Sequence, residues 1–180
     1  GGINLGINIT KGLVFRSSFN ANVGYQNSTY YIPQYKIGWA VNDRPTLTNG
    51  NNFNTYWNWN QMLDYNRTFG KHNVGLMLTH EAQESRWKNV SSSRTGFLTN
   101  DILDLNAGDE TTATNSGGSG VWGMESYLGR LSYNFDSRYI LNATIRRDGS
   151  ANFGENNKIG YFPSLSVAWR LSQEPFFKVP

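Results

Sequence analysis

Few side chains in this 180-residue chain are spaced for covalent chemistry, and those that come nearest are carboxylates. Asp101, Asp104, Asp109 and Glu110 crowd into one stretch with Asn106 and Gly108 between them, an oxygen-rich composition that can hold calcium. Their spacing departs from the EF-hand pattern, and a solvated acidic loop is the simpler reading. Glycoside hydrolysis needs two carboxylates facing each other across a cleft. Asp64, Glu81, Glu84 and Glu125 are available, but nothing in their spacing singles out a pair. His72, expected in a turn, and His80, expected near a strand end, lack ligand-like spacing, and no Ser, His and acid triad can be assembled. G-S-G-V-W-G from Gly118 to Gly123 matches the letters of the dinucleotide fingerprint, which requires a strand before it and a helix after it. Here a flexible loop is expected before it and a strand after it. Catalysis therefore has no positive support, and no cofactor or metal is implied.

Binding is better served. Tyr30, Tyr31, Tyr35, Trp39 and Trp87 fall in stretches without sustained periodicity, where flat rings on loops can stack on sugars or peptides. Packing of the loops against themselves is the competing use of the same rings.

The elements that must position these residues are strands. In 126–135, Tyr127, Gly129, Leu131, Tyr133 and Phe135 share one parity while Ser126, Arg130, Ser132 and Asn134 take the other, with Leu128 as the apolar exception. After Asp136 and Ser137, Tyr139, Leu141, Ala143 and Ile145 oppose Asn142, Thr144 and Arg146, which makes a hairpin. A third run sets Tyr161, Leu165, Val167, Trp169 and Leu171 against Ser164, Ser166, Ala168 and Arg170. Upstream, Ile3, Leu5, Ile7 and Ile9 precede a turn at Lys11 and Gly12, and Leu13, Phe15, Phe19, Ala21, Val23 and Tyr25 follow it. Trp57, Trp59, Leu63, Tyr65 and Phe69 oppose Asn58, Asn60, Asp64, Asn66 and Thr68, and Val74, Leu76 and Leu78 return after the turn at 70–72. About seven strands result, joined alternately by tight turns and by long loops expected at 26–55, 84–120 and 148–160.

Composition narrows the setting. Charged residues are only 16% of the chain and basic ones are scattered, with a net charge of +3, which gives no support to nucleic-acid binding. No apolar run approaches the roughly 20 residues of a membrane helix, so a barrel is the remaining way to span a bilayer. The arginines fit that reading. Arg16, Arg130, Arg146 and Arg170 share the wet parity, and Arg67 and Arg147, on the greasy parity, lie near strand ends. Ser17 and Gln61 sit less comfortably on the greasy side. Tyr25, Trp57, Trp59, Tyr127 and Tyr161 are expected at the long-loop ends and Phe69, Phe135 and Tyr139 at the short-turn ends, as two aromatic girdles. Gly1 leads straight into a strand, so a leader is expected to have been removed or the chain to be an internal fragment.

S-Y-L-G-R-L-S-Y-N-F, R-Y-I-L-N-A-T-I-R-R-D-G-S-A-N-F-G and F-P-S-L-S-V-A-W-R-L, covering 126–171 with gaps, resemble consecutive barrel strands of the SusC/RagA family of TonB-dependent outer-membrane transporters. K-G-L-V-F-R-S-S-F and 57–81 carry the likeness more loosely. The resemblance implies an all-β fold in which residues 1–180 form part of an antiparallel transmembrane β-barrel, about seven strands of a large plugged barrel, with no plug domain in this chain. It also implies import of oligosaccharides, or of peptides, with a SusD-like surface lipoprotein, and coupling to the TonB complex through a part outside this chain. Arg16, Asn58, Asn60, Asp64, Arg130 and Arg146 would line the lumen or pack against the plug. Within R-R-D-G-S-A-N-F-G, Arg147 and Asp148 are expected to anchor the loop. Two alternatives fit the alternation: a small closed structural outer-membrane barrel, and a secreted carbohydrate-binding β-sandwich. The F-F-K-V-P ending differs from the terminal strand expected of the small barrel.

Overall fold

Period-2 alternation produces one antiparallel sheet. The computed structural model describes residues 1–152 and 158–177. Its seven main strands are β1 (Gly2–Thr10), β2 (Leu13–Ile32), β5 (Thr46–Phe69), β6 (His72–Thr95), β7 (Thr114–Phe135), β8 (Tyr139–Ser150) and β9 (Ile159–Trp169), paired in that order. A separate two-stranded hairpin, β3 (Tyr35–Ile37) and β4 (Ala40–Asn42), occupies part of the β2–β5 connection. Among the described residues β1 and β9 end the ladder and no second large sheet faces it, which corrects the small closed barrel and the sandwich alike.

The tight connections are built for their geometry. Gly12 and Gly70 turn at φ +85° and +58°, the left-handed region open to glycine. Asp136 and Ser137 take φ 52° and 56°, the pair of positive values of a type I′ turn, which the Arg138 N–H closes on Phe135 O at 2.9 Å within the three-residue connection 136–138. The Asp136 carboxylate lies 2.9 Å from Lys71 Nζ and 3.3 Å from an Arg138 nitrogen. The hydrogen bond from Lys71, with the charges of both cations, holds this carboxyl below its ordinary range.

Register fixes the faces. Across β7, β8 and β9, Leu131, Ala143 and Leu165 lie side by side, as do Tyr133, Leu141 and Val167, and Phe135, Tyr139 and Trp169. Shifted by one residue, Arg130, Thr144 and Ser164 align, then Ser132, Asn142 and Ser166. Across β1 and β2 Ile3 pairs with Phe19 and Ile7 with Phe15. One apolar face and one polar face therefore run across these strands.

The chain divides into two compact units, Gly1–Asn22 with Tyr56–Glu84 and Trp122–Pro180, and Val23–Thr55 with Ser85–Val121. In the first unit the strand portions 13–22, 56–69, 72–84 and 122–135, with β1, β8 and β9, match or slightly exceed the about 9–11 residues a tilted strand needs to cross hydrocarbon. Its burial is inverted relative to a water-soluble domain. Ile3, Leu5, Leu78, Leu165 and Val167 are 53–75% exposed, whereas among the described residues its buried side chains are Ser126, Ser150 and Glu174. Ser17 and Gln61 have partners on the apolar face: the Trp59 indole donates to Ser17 Oγ at 3.1 Å, and Gln61 Oε1 lies 2.5 Å from His80 Nδ1. Arg67 and Arg147 lie over the rings of Phe69 and Tyr127, at 5.1 and 5.6 Å.

The second unit has a small conventional core. Leu47 is fully buried and Phe97 is 4% exposed, with Pro45 and Gly108 buried beside them. Gly96 donates to Pro45 O at 2.9 Å and Asp109 to Thr95 O at 3.0 Å, which ties the 96–113 connection to its strands. Gly108 leaves room for Phe97, since a Cβ there would come within 2.9 Å of its ring.

The long loops expected at 26–55, 84–120 and 148–160 require correction. β2 runs on to Ile32, β5 starts at Thr46, β6 reaches Thr95, β7 starts at Thr114, and β8 and β9 extend to Ser150 and from Ile159. In these portions Asn, Ser, Thr and Gly occupy both faces, and backbone pairing continues although no apolar side remains to mark it. G-S-G-V-W-G lies inside β7 instead of leading into a strand, so the fingerprint also lacks its turn and helix. His80 is mid-strand, not near a strand end. Tyr25, Trp57, Trp59 and Tyr127 are likewise interior to long strands. Leu171 falls in a short 3-10 turn after β9. Residues 153–157, including the Phe153 and Gly154 of the R-R-D-G-S-A-N-F-G stretch, and 178–180 of the F-F-K-V-P ending lie outside the described residues.

Candidate functional site

In the second unit, the strand portions 23–32, 46–55, 85–95 and 114–121 place amides, hydroxyls and one indole around a common groove. The groove has a volume of 640 Å³, and Gln26, Ser28, Asn52, Trp87, Asn89 and Ser116 are among the side chains that line it, with Gly50, Gly117 and Gly118 between them. The glycines make room for the ring. A Cβ on Gly120 would come within 2.5 Å of Trp87 Nε1, and one on Gly118 would touch the far edge of the indole at 3.5 Å. Asn89 Oδ1 accepts from Gly118 N at 2.7 Å, which joins the two strands beneath the ring. The Trp87 ring remains 47% exposed.

No carboxylate, ammonium or guanidinium lines this groove. Side-chain amides carry both donors and acceptors and hydroxyls do the same, so the groove suits an uncharged, hydroxyl-rich ligand with an apolar face for the indole. No carboxylate pair and no His stands among its lining residues.

The other aromatic candidates do not join it. Tyr31 donates its hydroxyl to Asn100 Oδ1 at 2.9 Å and stands edge-on to Phe97 at 6.2 Å, so it packs the 96–113 connection. Tyr30 is 65% exposed on β2, Tyr35 is exposed on β3, and Trp39 is 97% exposed at the β3–β4 turn. Tyr30, Tyr31, Tyr35 and Trp87 thus lie on strands and not on irregular loops. Three of the four clustered carboxylates are spent locally. Asp104 accepts from Asn106 N and Asp109 from Thr111 N, capping two short 3-10 turns, while Asp101 accepts from the Thr99 hydroxyl. The hydrogen bonds from the Thr111 side chain and backbone, with the Arg44 and Arg94 charges, hold the Asp109 carboxyl below its ordinary value. Among the described residues no three His, Asp or Glu side chains converge as a metal site.

On the polar face of the first unit, Arg16 and Asp64 are 3.8 Å apart, Asn58 donates to Glu81 at 2.9 Å, and Asn66 donates to Asp64 at 2.9 Å. Arg146 reaches both Asp148 oxygens, at 2.7 and 2.9 Å, and Ser126 Oγ at 3.2 Å. Asp148 therefore anchors Arg146. Asn60 and Arg16 line a groove of 560 Å³, and Arg130 is exposed opposite Thr144. This face is a polar network interleaved with free donors.

Sequence reasoning missed two constellations. Gln61, His80, Glu125 and Tyr127 join across β5, β6 and β7 on the apolar face. Glu174 receives Trp169 Nε1 at 3.0 Å and the Tyr139 hydroxyl at 2.7 Å beside Arg138 at 3.4 Å. Each joins residues of different strands, His80 to Glu125 across 45 residues and Tyr139 to Glu174 across 35, and no local motif marks them.

No protein-family model matches the chain. It is 32% identical over 173 residues to TonB-dependent receptor P3 of Formosa agariphila, covering 93% of this chain and 17% of that protein. To TonB-dependent receptor SusC of Bacteroides thetaiotaomicron it is 26% identical over 185 residues, covering 90% of this chain and 18% of that protein. The chain thus spans under a fifth of the length of these curated relatives. The solved structure of the RagAB peptide transporter superposes with a TM-score of 0.89 over 99% of this chain and 20% of that one, at 16% identity. Its 'open-open' state gives 0.88 over 97% of this chain and 19% of that one, at 17% identity. Likeness to receptors of this kind along nearly the whole chain, with a shared antiparallel fold, shows that the chain belongs to the SusC/RagA family of TonB-dependent receptors, as a partial β-barrel.

Proposed function

We propose that residues 1–180 are one stretch of the barrel domain of an outer-membrane transporter that imports oligosaccharides with energy supplied through the TonB complex. The family supports the transporter class. The uncharged groove of amides and hydroxyls around Trp87 carries the choice of cargo, because it offers paired donors and acceptors and one flat ring but no charge for peptide termini. The apolar face of the first unit meets lipid, and the polar face with Arg16, Asn58, Asn60, Asp64, Arg130 and Arg146 lines the lumen or receives the plug. Tyr30, exposed on β2, and Tyr35 and Trp39, exposed on the β2–β5 connection, are offered to a SusD-like lipoprotein. The segment binds and guides, and carries no catalytic step.

Calorimetry on the full-length protein, with its lipoprotein partner, tests this with neutral oligosaccharides and with peptides of matched mass. The expected result is saturable binding of at least one oligosaccharide series, weakened by Trp87→Ala. Binding of peptides alone, untouched by that substitution, overturns the cargo assignment.

A further inference from the structure

The apolar face of the first unit holds a polar constellation where a lipid-facing surface has no evident use for one. Glu125 Oε1 accepts from the Tyr127 hydroxyl at 2.8 Å and lies 3.0 Å from His80 Nε2, so both protein partners converge on a single oxygen. Oε2 receives neither. Arg147 lies over the Tyr127 ring, and among the described residues no carboxylate comes within ion-pair distance of it. Glu84, Glu125, Arg147 and Lys158 line one pocket of 450 Å³ together with Trp57, whose indole donates to Glu84 at 3.4 Å. A second groove of 490 Å³ shares Arg147 with that pocket and is walled by Phe15, Leu63, Leu78, Tyr127 and Ile145. Gly129 notches its floor: a Cβ there would already touch Leu78 and Ile145 at 3.6 and 3.7 Å. An apolar groove thus meets, at Arg147, a pocket lined by charges of both signs, in which Glu125 Oε2 receives no protein donor.

We propose that this is a phospholipid site selective for a phosphoethanolamine headgroup. The acyl chain lies over Gly129 between Leu78 and Ile145, the phosphate meets Arg147, and the ammonium donates to Glu125 Oε2. Opposite charges in one pocket complement a zwitterion better than a simple anion, and a carboxylate oxygen favours an ammonium that keeps its N–H donors over a quaternary one. The proposal rests on the reading of this face as lipid-facing.

Native mass spectrometry of the full-length protein tests it with an equimolar mixture of phosphatidylethanolamine, its mono- and dimethyl derivatives, phosphatidylcholine and phosphatidylglycerol, all with the same acyl chains. Retention of phosphatidylethanolamine is expected to exceed that of phosphatidylcholine roughly tenfold, about 1.4 kcal/mol, falling stepwise along the methylated series. Glu125→Gln should abolish the dependence on methylation, and Arg147→Gln should lower retention of every phospholipid in the mixture. Retention without headgroup preference overturns the site while leaving the lipid-facing reading intact. Failure to retain any lipid overturns both. The wild-type ranking alone decides the matter if either variant does not fold.

Discussion

Gly120→Ala is a one-carbon change whose cost the geometry assigns to a single neighbour. The three atoms nearest the added Cβ all belong to Trp87, at 2.5, 2.8 and 3.0 Å. Contacts this short force the indole off its seat, and overpacking of this kind costs about 1–3 kcal/mol. Trp87 is 47% exposed and has space to swing, which puts the expected value near the low end, about 1 kcal/mol. If the ring is the whole source of the penalty, the same change in a Trp87→Ala background should be favourable by roughly 0.5–1 kcal/mol, the gain of alanine over glycine in a strand. The sign reverses between the two backgrounds. The assay is native-state hydrogen exchange by mass spectrometry on the full-length protein, following 85–95 and 114–121, because local opening is measurable where a large barrel does not unfold in two states. Protection should fall about fivefold in the single variant and rise in the double relative to Trp87→Ala. Equal losses in both backgrounds would refute the seating of Trp87 on the glycines, and with it the account of the groove's shape.

Ala143, between Leu131 and Leu165, and Thr144, between Arg130 and Ser164, lie on opposite faces; Ala143→Arg should cost about 2–4 kcal/mol of folding into liposomes and Thr144→Arg well under half of that, by urea titration. Phe97→Ala should cost about 3–5 kcal/mol locally, read as lost exchange protection across 96–113 with the first unit unaffected. Because the Asp109 carboxyl is held below its ordinary value of 3.8, the stability it gives the 96–113 connection is present above that pH and lost as pH falls through the lowered value. Pepsin should therefore cut within 96–113 increasingly from pH about 4 to 2, and Asp109→Asn should be cut readily already at pH about 4. Ser137→Gly, at φ 56°, should leave the β7–β8 hairpin as stable or stabilise it by up to about 1 kcal/mol, by the same urea titration.

The strand portions of the first unit were legible in the sequence because each carries an apolar side chain at every second position, and Leu131 and Ser132 fall on opposite faces as their parity requires. The portions at 26–32, 46–55, 85–95 and 114–120 were not, since stretches such as T-N-S-G-G-S-G have no apolar side to alternate with a polar one. Gly117, Gly118 and Gly120 read as flexibility. In the fold they are close approach, and only the position of Trp87 on a neighbouring strand tells the two apart. For the same reason Trp87 was recognised as an aromatic candidate while Gln26, Asn52 and Asn89, its companions in the groove, were not. His80, Gln61 and Glu125 meet across three strands, and pairings 19 and 45 residues apart leave no local pattern.

The face assignment underlies both the transport reading and the lipid site, and single cysteines at Leu165 and Ser166 test it most directly. Leu165 is 70% exposed and continues the row of Leu131 and Ala143, whereas Ser166 aligns with Ser132 and Asn142. In the full-length protein in liposomes, a maleimide confined to the hydrocarbon should label position 165 and spare 166, and a membrane-impermeant water-soluble maleimide should not reach 165. Equal labelling at the two positions, or preference of the lipid-confined reagent for 166, would contradict the account.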